Sequence, residues 1–146
     1  MKVRELMTTE PITVETKATL GEVATLMKQQ DCGSIPVVEG RRLVGIVTDR
    51  DIVVRGVAAG KDPKTQTVSE VMSADPVTVG PDDDVTDAEK KMADRQIRRL
   101  PVVEGGRLVG IIVTAQIARA GNERKVGETI KEISESRSGR GSHASG

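Results

Sequence analysis

Apolar residues recur along the chain with two alternating periods. Leu20, Val23, Ala24 and Met27 stand at i, i+3, i+4 and i+7, which predicts a helix with one apolar face. Residues 35–39 and 42–47, rich in Val and Ile and separated by Gly40, predict a β-hairpin. Ile12-Thr13-Val14, after Pro11, predicts a short strand before the helix, and a second helix is expected near 49–59. The same order then returns. Val77-Thr78-Val79 follows Pro76, and Val85, Ala88 and Met92 repeat the helical stripe behind Asp82-Asp83-Asp84, acids suited to a helix N-terminus. Residues 100–104 and 107–113 flank Gly105-Gly106 as a second hairpin, and a last helix is expected at 114–120.

The recurrence is a tandem duplication. Val3 to Ile52 aligns with Val68 to Ile117 at a constant offset of 68 − 3 = 65 without a gap, and 18 of the 50 positions are identical. The densest match joins Pro36-Val37-Val38-Glu39-Gly40 to Pro101-Val102-Val103-Glu104-Gly105, continuing through Arg42-Leu43-Val44-Gly45-Ile46 and its counterpart. Each copy reads β-α-β-β-α, so the fold class is α+β (α/β): copy one over 1–60, a linker over 61–67 and copy two over 68–121. A unit of about 60 residues is marginal alone. The copies are therefore expected to pair about a pseudo-twofold axis through their sheets. Val126, Ile130 and Ile133 share a face of a possible C-terminal helix within 122–133, and 134–146, poor in apolar residues, is expected to be disordered.

Composition narrows the function. The 146 residues carry 22 Lys+Arg against 22 Asp+Glu and no Phe, Tyr or Trp. Zero net charge argues against a nucleic-acid binder, and a bound flat ring would have to lie on aliphatic walls. No apolar run approaches a membrane span and no signal-peptide core is visible, which predicts a cytoplasmic protein. The single Cys32 excludes an intrachain disulfide, and one Cys with one His leaves no structural zinc set. Cys32 reads as a small packed residue ahead of a redox-sensitive thiol. The only His, His143, lies in the tail, so no Cys–His or Ser–His–Asp set is available and an enzyme is not expected. Asp82-Asp83-Asp84 diverge from a helix start, which favours capping over Mg²⁺.

With Leu6-Met7 before Pro11-Ile12-Thr13-Val14, then Ile35-Pro36-Val37-Val38, then Gly45-Ile46-Val47-Thr48-Asp49-Arg50-Asp51-Ile52, all repeated in outline, the chain resembles a tandem pair of cystathionine-β-synthase (CBS) domains, a Bateman module. The resemblance covers Val3 to about Gly121. The stretch from Thr48 to Pro63 is similar to that of small stand-alone two-CBS proteins, including the mycobacterial hypoxic-response type. It implies a regulatory module that binds adenosine-containing ligands such as AMP, ATP or S-adenosylmethionine between paired domains, with no obligatory cofactor. It also implies homodimers assembled as discs of four domains, and an unidentified protein partner. The stripes Leu20/Val23/Met27 and Val85/Ala88/Met92 are candidate dimer faces unless they are spent on their own sheets.

Thr48-x-x-Asp51 reads locally as a capping box. The resemblance assigns Asp51 instead to the ribose hydroxyls, with helix N-terminal amides facing phosphate, and brings Thr48 to the same site. It assigns the phosphates to Arg98 and Arg99, and the adenine wall to Ile46, Val77 and Thr78. On their own, the arginines read as a solvated pair and the aliphatic residues as core. Arg50 and Arg55 are further phosphate candidates or plain surface residues. At the offset of 65, Thr48 and Asp51 become Val113 and Gln116, while Arg98 and Arg99 become Gly33 and Ser34. One cleft would thus hold both acid and arginines, and the other neither. The competing expectation is a nucleotide-free dimerisation or adaptor module with degraded sites.

Overall fold

A computed structural model describes residues 1–121; the expected helix around Val126, Ile130 and Ile133, and the tail with His143, lie outside the described residues. Helix α1, Leu20–Gln30, begins where Thr19 Oγ1 accepts the Glu22 N–H at 3.2 Å and Glu22 Oε1 accepts the Thr19 N–H at 2.8 Å. Such a cap is worth about 1 kcal/mol. Asp31, left-handed at φ 52°, ends it. Helix α3, Val85–Arg95, is capped by Asp84 and ends 65 positions on at Gln96, φ 55°. The hairpins are β3, Ser34–Glu39, with β4, Arg42–Thr48, and β6, Arg99–Glu104, with β7, Arg107–Val113. Gly40 and Gly105 turn them at φ 63° and 60°, where a side chain would be strained.

Two local expectations are corrected. The strand at Ile12-Thr13-Val14 is only β2, Val14–Glu15, parallel to β3, and at Val77-Thr78-Val79 only the bridge Val79↔Val102 forms. Glu10 and Asp75, at φ 50° and 52°, turn the chain sharply just ahead of Pro11 and Pro76, so the ladder starts late. The helix expected over 49–59 is a single α turn, α2, Asp49–Asp51, followed by a π-helical turn at Ile52–Val57. That wide turn seats Gly56 on α1, where a Cβ would meet Leu20 Cδ1 at 2.8 Å. In copy two the matching segment, α4, runs helically over 114–121.

The copies join through their sheets, as expected. With β1, Thr8–Thr9, and β5, Ser73–Ala74, they form one seven-stranded sheet, ordered β1-β7-β4-β3-β2 with β6 beside β7 and β5 beside β4. Strand β1, Thr8–Thr9 of copy one, pairs with β7 of copy two, and β5, Ser73–Ala74 of copy two, pairs with β4 of copy one. Glycine allows this approach. A Cβ at Gly45 would stand 2.8 Å from Ser73 O, and one at Gly110 2.8 Å from Thr8 O. The cores are exchanged likewise. Val3 is buried with Val85, Met92, Leu100, Val102 and Ile112, whereas Val68 and Val71 are buried with Leu20, Val23, Ile35, Val37 and Val47. Each small core is thus completed by the leading 3₁₀ turn of the other repeat, Val3–Glu5 or Val68–Glu70.

The N-terminal turn is also tied electrostatically. The Met1 ammonium lies 3.3 Å from Asp84 Oδ1, and Arg4 Nε donates to Asp82 Oδ1 at 2.8 Å. Bonds from the Thr86 hydroxyl and N–H, with the Met1 ammonium beside them, hold the Asp84 carboxyl down at about 2. A carboxyl depressed in the fold contributes stability that is complete above its unfolded value of 3.8 and is lost as pH falls through about 2. In thermal scans, the gap in Tm between wild type and Asp84→Ala is expected to be constant above pH ~5 and to close towards pH 2. A gap that does not change with pH would deny the carboxylate this role.

Candidate functional site

The exchanged pairing leaves a cleft of about 710 Å³ between β4, β5 and the start of β6, within the usual range for small-ligand sites. Copy one contributes Gly33, Ser34, Ile46, Thr48 and Asp49; copy two contributes residues 73–77, 95–99 and Pro101. Its apolar lining is aliphatic and includes Ile46, Val77 and Ile97. Arg95, Arg98 and Arg99 bring positive charge to the lining, and Asp49 and Asp75 bring negative charge. Arg95 closes α3 and Arg99 opens β6, so the left-handed turn at Gln96 carries these cations to the rim.

Of the residues singled out in the sequence, Ile46, Thr48, Val77, Arg98 and Arg99 line this cleft together. Asp51 and Thr78 do not line it. The Asp51 carboxylate turns back into the capping box: its Oδ2 accepts the Thr48 N–H at 2.9 Å, while its own N–H donates to Thr48 Oγ1 at 3.1 Å. Asp51 thus stands one residue contact from the cleft wall, half-buried. The Thr78 carbonyl instead receives Lys91 Nζ at 2.7 Å.

The expectation of amides facing phosphate is corrected. The Asp49 N–H is donated to Gly33 O at 2.9 Å and the Arg50 N–H to Asp49 Oδ1 at 2.8 Å, so all four N–H groups from Thr48 to Asp51 are already paired. Arg55 is likewise committed, donating to the carbonyls of Val71 and Met72 at 2.9 and 3.2 Å. The basic side chains on the lining are Arg95, Arg98 and Arg99.

Sequence reasoning missed Arg95, Asp49 and Asp75. Arg95 is signalled only by its place three residues before Arg98, and Asp49 by lying inside the Thr48–Asp51 string. Asp49 also explains Gly33, because a Cβ there would lie 2.9 Å from Asp49 Oδ2. In copy two Arg98 replaces that glycine and Thr114 replaces the aspartate. The two clefts therefore differ by coupled substitutions.

The sequence profile of the CBS domain matches residues 3–56 and 68–123. The chain belongs to the CBS-domain family. CBS domain-containing protein YhcV of Bacillus subtilis (strain 168) is 47% identical over 116 residues, spanning 80% of this chain and 82% of YhcV. The crystal structure of Hypoxic Response Protein I with two coordinated zinc ions matches with a TM-score of 0.76 and 37% identity, covering 82% of this CBS pair and 98% of that chain. The CBS pair of MJ0100, solved with 5-methylthioadenosine and S-adenosyl-L-methionine, matches with a TM-score of 0.73 and 28% identity over 85% of this chain and 98% of its own. Among the described residues, no group of three or more His, Cys, Asp and Glu is placed to hold a metal ion, and no helix is long and apolar enough to cross a membrane.

Proposed function

We propose that this CBS pair is a regulatory module, without catalysis of its own, that binds one adenine nucleotide per chain in the cleft between its copies. The observation that carries the reading is the meeting, in one cleft, of aliphatic walls with arginines from the second copy and Thr48 from the first. Ile46 and Val77 sandwich the adenine, doing with methyl groups what aromatic rings do elsewhere. Thr78, the residue after Val77, lies outside the lining and is given no contact with the ring. Thr48 and the Asp51 carboxylate behind it take the ribose. Only one Asp51 oxygen is used within the capping box, which leaves acceptor capacity for a hydroxyl. Arg99, with Arg95 and Arg98 beside it, meets the phosphate in the bidentate manner suited to guanidinium. The adenosyl ligands of the MJ0100 pair support this choice of ligand class.

Calorimetry with AMP, ATP, adenosine and S-adenosylmethionine tests the reading. Sub-millimolar binding of a phosphorylated adenosine at one per chain is the expected result. No heat from any of the four would favour the nucleotide-free adaptor.

We further propose that the module is a homodimer, with the face revised from the sequence expectation. Leu20, Val23, Met27, Val85, Ala88 and Met92 are all buried within their own chain. Among the described residues, Met1 and Ile12 are exposed singly, and the exposed large apolar side chains that share one element are those of the π turn, where Val53, Val54 and Val57 are 57%, 50% and 63% exposed. Val57→Asp is expected to convert a dimer to a monomer by light scattering at tens of micromolar without loss of secondary structure. A wild-type chain that is monomeric there would refute the dimer.

A further inference from the structure

We propose that Gln116 is a specificity determinant that closes the second, pseudosymmetric cleft against a ribose. Gln116 occupies the position of Asp51 in copy two and repeats half of its work, with Oε1 accepting the Val113 N–H at 2.9 Å. Its other end differs in kind. Where Asp51 offers an acceptor oxygen, Gln116 presents an NH₂ donor, and its Nε2 donates a hydrogen bond to Thr8 Oγ1 at 2.9 Å. Thr8 lies on the exchanged strand β1, opposite Ile111 of β7. Its counterpart on β5 is Ser73, opposite Ile46, and Ser73 lines the open cleft. The Gln116–Thr8 bond is therefore a clip that joins α4 of one copy to the leading strand of the other and ties down the residue whose counterpart, Ser73, lines the first cleft. A ribose entering there would have to break this bond and would then meet a donor instead of the charged acceptor that its two hydroxyls require. The absence of arginine at Gly33 and Ser34 removes the phosphate grip as well.

The inference deepens the proposed function and rests on its assignment of Asp51 to ribose. Gln116→Asp exchanges the donor for an acceptor, keeps the link to the Val113 N–H and releases Thr8. Adenosine is the probe, because the second cleft lacks cations for phosphate. Calorimetry is expected to find one more adenosine site per chain in Gln116→Asp than in wild type, and the added site survives in Asp51→Ala/Gln116→Asp. An unchanged number of sites overturns the proposal. Wild type binding no adenosine would refute the first-cleft reading separately, since a rise from none to one in Gln116→Asp still supports the clip. If the single variant fails to fold, Val113→Thr/Gln116→Asp, which rebuilds the whole capping box of copy one, carries the same test with the same two outcomes.

Discussion

Asp51→Ala is expected to weaken adenosine, AMP and ATP together by at least about tenfold, whereas Arg99→Ala weakens AMP and ATP by a similar factor and spares adenosine. A hydrogen bond to a charged group is worth about 1.5–3 kcal/mol, and roughly 1.4 kcal/mol is a factor of ten in affinity. Asp51 contributes at the ribose, which all three ligands share, and Arg99 at the phosphate, which adenosine lacks. Because Asp51 also closes the capping box, its removal costs about 1 kcal/mol of stability as well. Asp51→Asn separates the two roles, since an amide oxygen still accepts the Thr48 N–H while the charge is gone. Its folding should approach wild type, with an affinity between those of wild type and Asp51→Ala. Titrations in which Asp51→Ala binds adenosine as wild type does would remove Asp51 from the site.

Leu100→Ala is expected to destabilise the whole chain by about 2–5 kcal/mol, the range for truncating a fully buried leucine that leaves a cavity. Leu100 has no exposed surface and sits on β6 among Val3, Met92, Val102 and Ile112. Ile35, its counterpart in the other core, should respond comparably. The informative part is how the loss is distributed. Since Val3 belongs to one core and Val68 to the other, and β1 and β5 cross between the hairpins, neither half has a complete core without its neighbour. Chemical denaturation of Leu100→Ala should keep a single transition with an unchanged m-value and a lower midpoint. Two separated transitions would show halves that stand independently.

The repeat made most of this architecture legible. Both hairpins and both long helices follow from periodicity, because their apolar stripes are local. The exchange of β1 and β5 was not legible, since Thr8-Thr9 and Ser73-Ala74 carry no alternation and their pairing depends on Gly45 and Gly110, far away in sequence. The π turn was not legible either: it sets Gly56 close against Leu20, a residue far away in sequence. At the cleft, Thr48 and the arginines were visible as polar residues at strand ends. The Thr48–Asp51 cap was legible from its spacing, whereas the place of Asp49 on the cleft lining depends on side-chain geometry that spacing does not encode.

The exchanged leading turns also set an order of events during synthesis. Domains usually fold as they leave the ribosome, the N-terminal one first. Here the first hairpin and α1 emerge without Val68 and Val71, the residues that finish their core, so this half cannot close until the start of the second repeat is outside the tunnel. The second half has no such wait, because Val3 is already present when Leu100 and Ile112 appear. A ribosome stalled shortly before Val68 would therefore hold an unfinished chain, and one stalled far enough beyond Met72 for Val68 and Val71 to have left the tunnel holds a chain whose first half can close.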